Sequence, residues 1–267
     1  MPLDVEVAPP AYIHRLRGNC RCGVTHDLPP PPPPPLGYAV YDQPSPPMAV
    51  CDRDRVYREA LNALSLRRSA VDDLRRRGLS PEDIERFGFR SLPLRGGQHA
   101  EFMARMRSRC DDDVLGSCPG FVDKNGRLTF WAAYAGRDGY IVPFIDDVGQ
   151  ITGIQAKLLG GRYLTPYGAR YADMYVVAGT PSTTLFLVEG GLKALVASVL
   201  GPAWCLGVPG QALQDAHLAV IRRLCPQRVA VALDREVNIN TDRARERWLE
   251  RIAGAGLAVY DAVWEGN

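Results

Sequence analysis

The apolar residues of this chain follow one spacing at a time, and the spacing changes three times. From residue 52 to 109 it is helical. Val56, Ala60, Leu61 and Leu64 fall on one face. Ser69 is placed to cap a helix through Leu74, with Gly78 ending it. Ser80-Pro81-Glu82-Asp83 is a strong helix start, with a capping serine, a first-turn proline and two early acids. A further helix is predicted from about residue 98 to 109. From 114 to 177 the pattern shortens to strands at 128–134, 140–144 and 151–158, separated by turns at 123–126, 146–149 and 160–161. Such short connections make an antiparallel meander. From residue 183 strands and helices alternate: strands at 185–188, 203–206, 229–233 and 257–263, helices at 192–200, 211–224 and 242–253. The strands Leu185-Phe186-Leu187-Val188 and Val229-Ala230-Val231-Ala232-Leu233 are apolar throughout. This is the mark of a mainly parallel sheet covered on both faces.

The first fifty residues differ. Seven consecutive prolines from Pro29 to Pro35 favour polyproline II and exclude a helix or inner strand. They form an extended arm or linker. The sequence therefore divides into a proline-rich arm (1–50), a helical subdomain (51–110), a β-rich lobe (111–182) and an α/β domain (183–267).

Composition narrows the class. With 267 residues, 46% hydrophobic and 23% charged, the chain builds its own core without staples. No apolar run approaches the roughly 20 residues of a membrane span. The start of the chain lacks the basic and apolar stretches of a signal peptide, so a cytoplasmic location is expected. Seven cysteines, odd in number and irregularly spaced, imply reduced thiols rather than a disulfide framework. A net charge of +2 does not by itself mark a nucleic-acid binder. Two arginine groups do concentrate charge locally: Arg67, Arg68, Arg75, Arg76 and Arg77, then Arg105, Arg107 and Arg109. They read either as solvated helix faces or as a contact surface.

Chemistry concentrates where the two apolar strands end. Ligands of open α/β sheets bind just beyond the carboxyl ends of the strands. Glu189 follows the first strand directly. Asp234 follows the second, with Glu236 two residues on. Carboxylates converging at one sheet edge repel one another. A hard divalent ion relieves that repulsion. Glu189, Asp234 and Glu236 are thus candidate ligands for Mg²⁺ or Mn²⁺.

These residues carry a resemblance. Leu187-Val188-Glu189-Gly190 and Ala232-Leu233-Asp234-Arg235-Glu236 look like the two signatures of the Toprim domain of bacterial replicative primases, topoisomerases and some nucleases. The second signature is ordinarily Asp-x-Asp, and here it is Asp-x-Glu. A nearer likeness is to primase-like proteins of plasmids and mobile elements. Glu189-Gly190-Gly191-Leu192-Lys193-Ala194 resembles their Glu-Gly-x-x-Lys-Ala element, and Gly207-Val208-Pro209-Gly210 a following turn. Gly149 through Lys157 is similar to a basic strand motif of primase cores, and Arg162-Tyr163-Leu164-Thr165-Pro166 to the Lys-Tyr segment after it. The resemblance covers roughly residues 51–267. Members of that family continue past the last strand with a Trp, a Lys-Gly and further acids, whereas this chain ends at Asn267. It therefore reads as a truncated Toprim domain that binds metal weakly and is a poor catalyst alone.

The resemblance implies a core that joins nucleotides on a single-stranded DNA template from nucleoside triphosphates, alongside a replicative helicase. Glu189, Asp234, Glu236 and Lys193 would be catalytic. Lys157, Arg162, Tyr163 and Arg170 would contact nucleic acid or nucleotide. Lys193 reads equally as a helix-surface lysine, and Tyr163 and Tyr171 as core aromatics. Arg235 sits between two acids and reads as their ion-pair partner. Cys20, Cys22, His26 and Cys51 offer four zinc ligands, or else the cysteines are free thiols in a loosely ordered arm. Two other functions compete: a Toprim phosphodiesterase that cleaves nucleic acid, and a non-catalytic DNA-binding replication module.

Overall fold

The computed structural model describes residues 6–8, 11–12, 48–94, 96–132, 138–201, 203–233 and 239–262. The chain forms two compact units, Met1–Pro44 and Ser45–Asn267. In the first, a short antiparallel pair is described, β1 (Glu6–Ala8) with β2 (Ala11–Tyr12).

The second unit opens with helices α1 (Val50–Asn62), α2 (Arg68–Arg76) and α3 (Pro81–Arg86). The α3 start is built as its sequence predicts. The Asp83 amide donates to Ser80 Oγ, and Asp83 Oδ2 accepts from the Ser80 amide. Helix α2 begins two residues earlier than a Ser69 cap would set it, with Arg67 in the cap position. Ser69 does not cap it; its hydroxyl donates to Asp138 Oδ2 at 2.6 Å instead. Strand β3 (Arg90–Ser91), α4 (Gly97–Arg107), α5 (Asp112–Ser117) and the hairpin β4 (Phe121–Asp123) with β5 (Leu128–Phe130) follow. Next come β6 (Gly139–Ile145), β7 (Ile151–Leu158) and β8 (Tyr163–Leu164), which with β3 form an antiparallel sheet in the order β3-β6-β7-β8. Pro143 is tolerated inside β6 because β3 pairs at Ile141 and Tyr140 and is spent before Pro143.

Side chains alternate across β6, and both faces are buried. Ile141, with Ile154 and Ala156 of β7, packs on Val56, Tyr57, Phe102, Met106 and Phe130. Tyr140, Val142 and Phe144 face the other way, onto Leu74 of α2 and Ile84 of α3. That second core runs on into the α/β sheet. The elements are β9 (Val176–Ala178), β10 (Thr184–Glu189), α6 (Gly191–Leu200), β11 (Trp204–Val208), α7 (Asp215–Leu224), β12 (Arg228–Ala232), α8 (Ile239–Gly254) and β13 (Val259–Asp261).

Strand order is β13-β12-β10-β11-β9, all parallel but for β9. Alternation along β10 separates the two covering layers. Phe186 and Val188 pack with Leu192 and Leu195 of α6. Leu185 and Leu187 pack with Ile221 of α7 and Trp248 and Ile252 of α8. Burying each such aliphatic side chain contributes about 1.5–3 kcal/mol. The sheet is therefore a mixed, mainly parallel one with helices on both faces, as the alternating apolar strands predict.

Candidate active site

The site begins at the turn that ends β10. Glu189 is half-buried there. Gly190 follows with φ +91°, a conformation an L side chain resists. Its amide donates to the Val208 carbonyl at 2.7 Å, locking the turn to the end of β11. Gly207 makes that approach feasible: a Cβ there would lie 2.7 Å from Ala194 Cβ and 2.9 Å from the Gly190 oxygen. Helix α6 then starts at Gly191, where a Cβ would meet the Phe144 ring at 3.0 Å. Lys193 lies exposed in the first turn of α6. A cation there opposes the helix dipole, so a nearby anion offsets an intrinsic cost.

Gln211, which the sequence reading passed over as part of a helix, holds the carboxylate. Its Nε2 donates to Glu189 Oε2 at 3.4 Å and to Thr241 Oγ1 at 3.3 Å. Its backbone carbonyl accepts from Trp248 Nε1 at 2.9 Å. One amide thus ties the end of β10 to the first turns of α8. Helix α7 starts only at Asp215, with the Gln214 amide donating to His217 Nδ1 at 3.1 Å. A glutamine after a Gly-Val-Pro-Gly turn carries no local signal of this role; the partners are 22 and 30 residues away.

The neighbouring strand β12 pairs Val188 with Ala232, so Leu233 ends at the same carboxyl edge as Glu189. Asp234 and Glu236, which follow it in sequence, lie outside the described residues, as do Cys20, Cys22 and His26. Among the described residues no group of three or more His, Cys, Asp or Glu could hold a metal ion. The oxygen groups described at this edge, the Glu189 carboxylate and the Thr241 hydroxyl, are hard donors, while the Gln211 amide nitrogen only donates hydrogen bonds to them. These oxygens fit Mg²⁺ or Mn²⁺ chemistry and not a thiophilic ion. Cys51 is an exposed free thiol at the start of α1.

The basic residues gather elsewhere. Lys157 and Tyr163 are cross-strand partners, and the ammonium sits 4.7 Å above the Tyr163 ring while donating to the Gly161 carbonyl. Burial, then the nearby Arg77 charge, pull the Lys157 ammonium below its ordinary range, and Asp73 partly opposes them. Arg162 is exposed. Arg170 lies 3.9 Å from Asp173, which also takes Arg53 at 3.2 Å. Asp73 accepts from Arg76, Arg77 and the buried Tyr140 hydroxyl at 3.0, 3.0 and 2.8 Å. Phe144, which touches Gly191, pairs with Gly153, whereas Lys157 pairs with Tyr140, four residues along, or about 13 Å at strand spacing.

No family model matches the sequence, and no curated protein does either. Solved structures do match. The zinc-binding and RNA polymerase domains of Aquifex aeolicus primase superpose with a TM-score of 0.64 at 15% identity, over 82% of this chain and 57% of that one. The RNA polymerase domain of Mycobacterium tuberculosis primase DnaG gives 0.62 at 15% identity, over 82% and 78%. A DnaG primase catalytic domain solved with single-stranded DNA gives 0.56 at 18% identity, over 82% and 76%. The fold resembles a bacterial primase catalytic core. This chain spans little more than half the length of the Aquifex structure, and at these identities the likeness is one of fold.

Proposed function

We propose that the chain is a primase-like nucleotidyltransferase core that acts on single-stranded DNA in the replication of a plasmid, phage or mobile element. The observation that carries this reading is the sheet edge. Glu189 and the end of β12 lie side by side in register, so Asp234 and Glu236 follow in sequence directly from the strand next to Glu189. The primase-like fold supports it.

In the reaction a 3′-hydroxyl attacks an α-phosphate, the new ester forms and pyrophosphate leaves. Glu189, Asp234 and Glu236 would hold the divalent ion. A bound Mg²⁺ or Mn²⁺ supplies Lewis-acid stabilisation of charge on the phosphoryl oxygens. Gln211 restrains the Glu189 carboxylate, so its position is set before substrate arrives. Lys193, in the first turn of α6, presents positive charge at the same edge for a triphosphate.

The test is primer synthesis from ribonucleoside triphosphates on a single-stranded template, resolved on a denaturing gel. Wild type is expected to make short products in low yield, as weak metal binding implies, and Glu189→Gln to make none at equal folded concentration. Metal-dependent shortening of the template without extension would replace this reading with a phosphodiesterase. Equal synthesis by Glu189→Gln would remove Glu189 from the site.

A further inference from the structure

We infer that Arg245 is a positioning residue of the candidate site, a clamp on the end of β12 from which Asp234 follows. This deepens the proposed function and rests on its metal-binding sheet edge.

Arg245 differs from its neighbours on α8. Arg243 and Arg247 are exposed, whereas the Arg245 side chain is only 13% exposed. Drawing a guanidinium out of water costs free energy that its partners must offset. Those partners come from the sheet as well as from the helix. Nη2 donates to the Leu233 carbonyl at 3.3 Å, and Nη1 donates to Asp242 Oδ1 at 3.0 Å. Nε lies 3.4 Å from Asp261 Oδ1. One planar group thus joins the end of β12, the first turn of α8 and the last residue of β13.

The Leu233 carbonyl is the partner that bears on the site. β12 ends at Ala232, where its ladder with β10 also ends. β13 reaches only as far as Val231, whose carbonyl takes the Ala262 amide at 2.9 Å. Leu233 is buried past both ladders. A buried carbonyl there needs a donor, and Arg245 supplies a charge-assisted one. The bond falls on the residue immediately before Asp234.

The same face of α8 acts on the other acid-bearing strand. Thr241, Arg245 and Trp248 recur at i, i+4 and i+7, the spacing of one helix face. Thr241 Oγ1 accepts from Gln211, which also donates to Glu189, and Trp248 Nε1 donates to the Gln211 carbonyl. One helix face therefore holds the end of β10 through Gln211 and the end of β12 through Arg245. A leucine at 245 would cover the sheet without the desolvation cost. It would not fix the strand end. The guanidinium is a rigid fork of donors, so it sets the direction of its acceptors as well as their distance. Mg²⁺ demands near-octahedral geometry from its ligands, and a strand end free to shift would not keep carboxylates in it.

The experiment titrates the free protein with Mn²⁺ and follows loss of the free-ion EPR signal. Arg245→Met keeps the stem and removes the donors; affinity should fall about tenfold. Arg245→Lys keeps the charge but replaces the fork with one mobile ammonium, and should weaken binding about threefold. Primer synthesis over a Mn²⁺ series gives a second readout. Arg245→Met should raise the half-saturating Mn²⁺ concentration by a larger factor than it lowers the rate at saturating metal. A rate lost equally at every Mn²⁺ concentration overturns the inference, because general loosening of α8 does that. Melting establishes that each variant is folded, and Arg245→Lys decides the matter where Arg245→Met does not fold. Mn²⁺ affinity equal to wild type in Arg245→Lys, or within about twofold of it in Arg245→Met, overturns the clamp and leaves the proposed function standing. Wild type that takes up no Mn²⁺ overturns the metal edge and the clamp with it. Arg245-dependent Mn²⁺ binding without primer synthesis supports the clamp and counts against nucleotidyl transfer alone.

Discussion

Gly207→Ala tests how the candidate site is held together. The added methyl would sit 2.7 Å from Ala194 Cβ and 2.9 Å from the Gly190 carbonyl oxygen. Carbon pairs are at ease at about 3.5–4.0 Å, so the methyl intrudes on Ala194 by roughly 0.8 Å or more. Neither side yields readily. β11 is bonded to β10 on one flank and β9 on the other, and the Gly190 turn is bonded to Val208. Overpacking of this kind costs about 1–3 kcal/mol. For a unit of this size that lowers Tm by about 2–4 °C per kcal/mol, or some 4–8 °C in the middle of the range. Because the turn that must move carries Glu189, primer synthesis should fall more than the folded fraction does at a permissive temperature. Ala194→Gly supplies the control. Alone it costs about 1 kcal/mol in helix propensity. Combined with Gly207→Ala it removes the worse contact and leaves the Gly190 one, so it should recover roughly 1 kcal/mol beyond additivity. Thermal and urea melts of the four proteins complete the cycle. A Gly207→Ala protein that melts within a degree of wild type, or a cycle additive to about 0.3–0.5 kcal/mol, refutes the packing argument.

Three further outcomes follow from other residues. Gln211→Leu keeps the volume and the backbone bond to Trp248 but removes the amide on Glu189; Mn²⁺ affinity by titration calorimetry should drop about tenfold with little change in Tm, and unchanged affinity would dismiss the restraint. Burial alone would raise the Asp73 carboxyl, yet hydrogen bonds from Arg77 and Tyr140 and the charges of Arg77 and Arg76 outweigh it and hold it below its ordinary value. A depressed folded value stabilises above the unfolded pKa near 3.9 and is lost as pH falls through the folded one, so the stability gap between wild type and Asp73→Asn should be full at neutral pH and shrink below about pH 4; a gap that widens in acid contradicts this. Burial pushes the Cys118 thiol up to about 12 and Cys205 up to about 11, so iodoacetamide at mildly alkaline pH should label exposed Cys51 and Cys225 and spare Cys118 and Cys205 until the chain is unfolded, as peptide mass mapping would report.

The parallel sheet was legible because its strands are buried on both faces. A strand such as Leu185 to Val188 has no polar alternation to confuse it with a surface strand, and the acid closing it marks the edge where the chain meets solvent. Short pieces were not legible. β3 has two residues and β9 three, too few for any period to register, yet each completes a sheet edge. Gln211 was hidden for a different reason. Its role depends on partners brought to it by the crossing of β10 and α8, and nothing in the residues beside it says so. Arginine clusters left two readings open. Arg67, Arg76 and Arg77 read either as solvated helix faces or as a contact surface, and Asp138 takes the first and Asp73 the other two. Asp138 is 71 residues from Arg67, beyond the reach of any local charge pattern.

The geometry of the lobe and of the α/β sheet are linked by α6. Its first residue, Gly191, packs on Phe144. Its last, Leu200, packs on Gly78 at the end of α2, beside Arg77. Ten helical residues span about 15 Å. Along β6, the path from Phe144 to Tyr140, the partner of Lys157, is about 13 Å. Two independent rulers thus give nearly the same separation between the Glu189 turn and the basic end of the lobe. That separation is fixed by a helix on one side and a strand pair on the other, both buried. The Lys157 end and the carboxylate edge are thereby held at a set distance. Changing the length of α6 would alter that distance without touching either surface, which separates the spacing from the chemistry at its two ends.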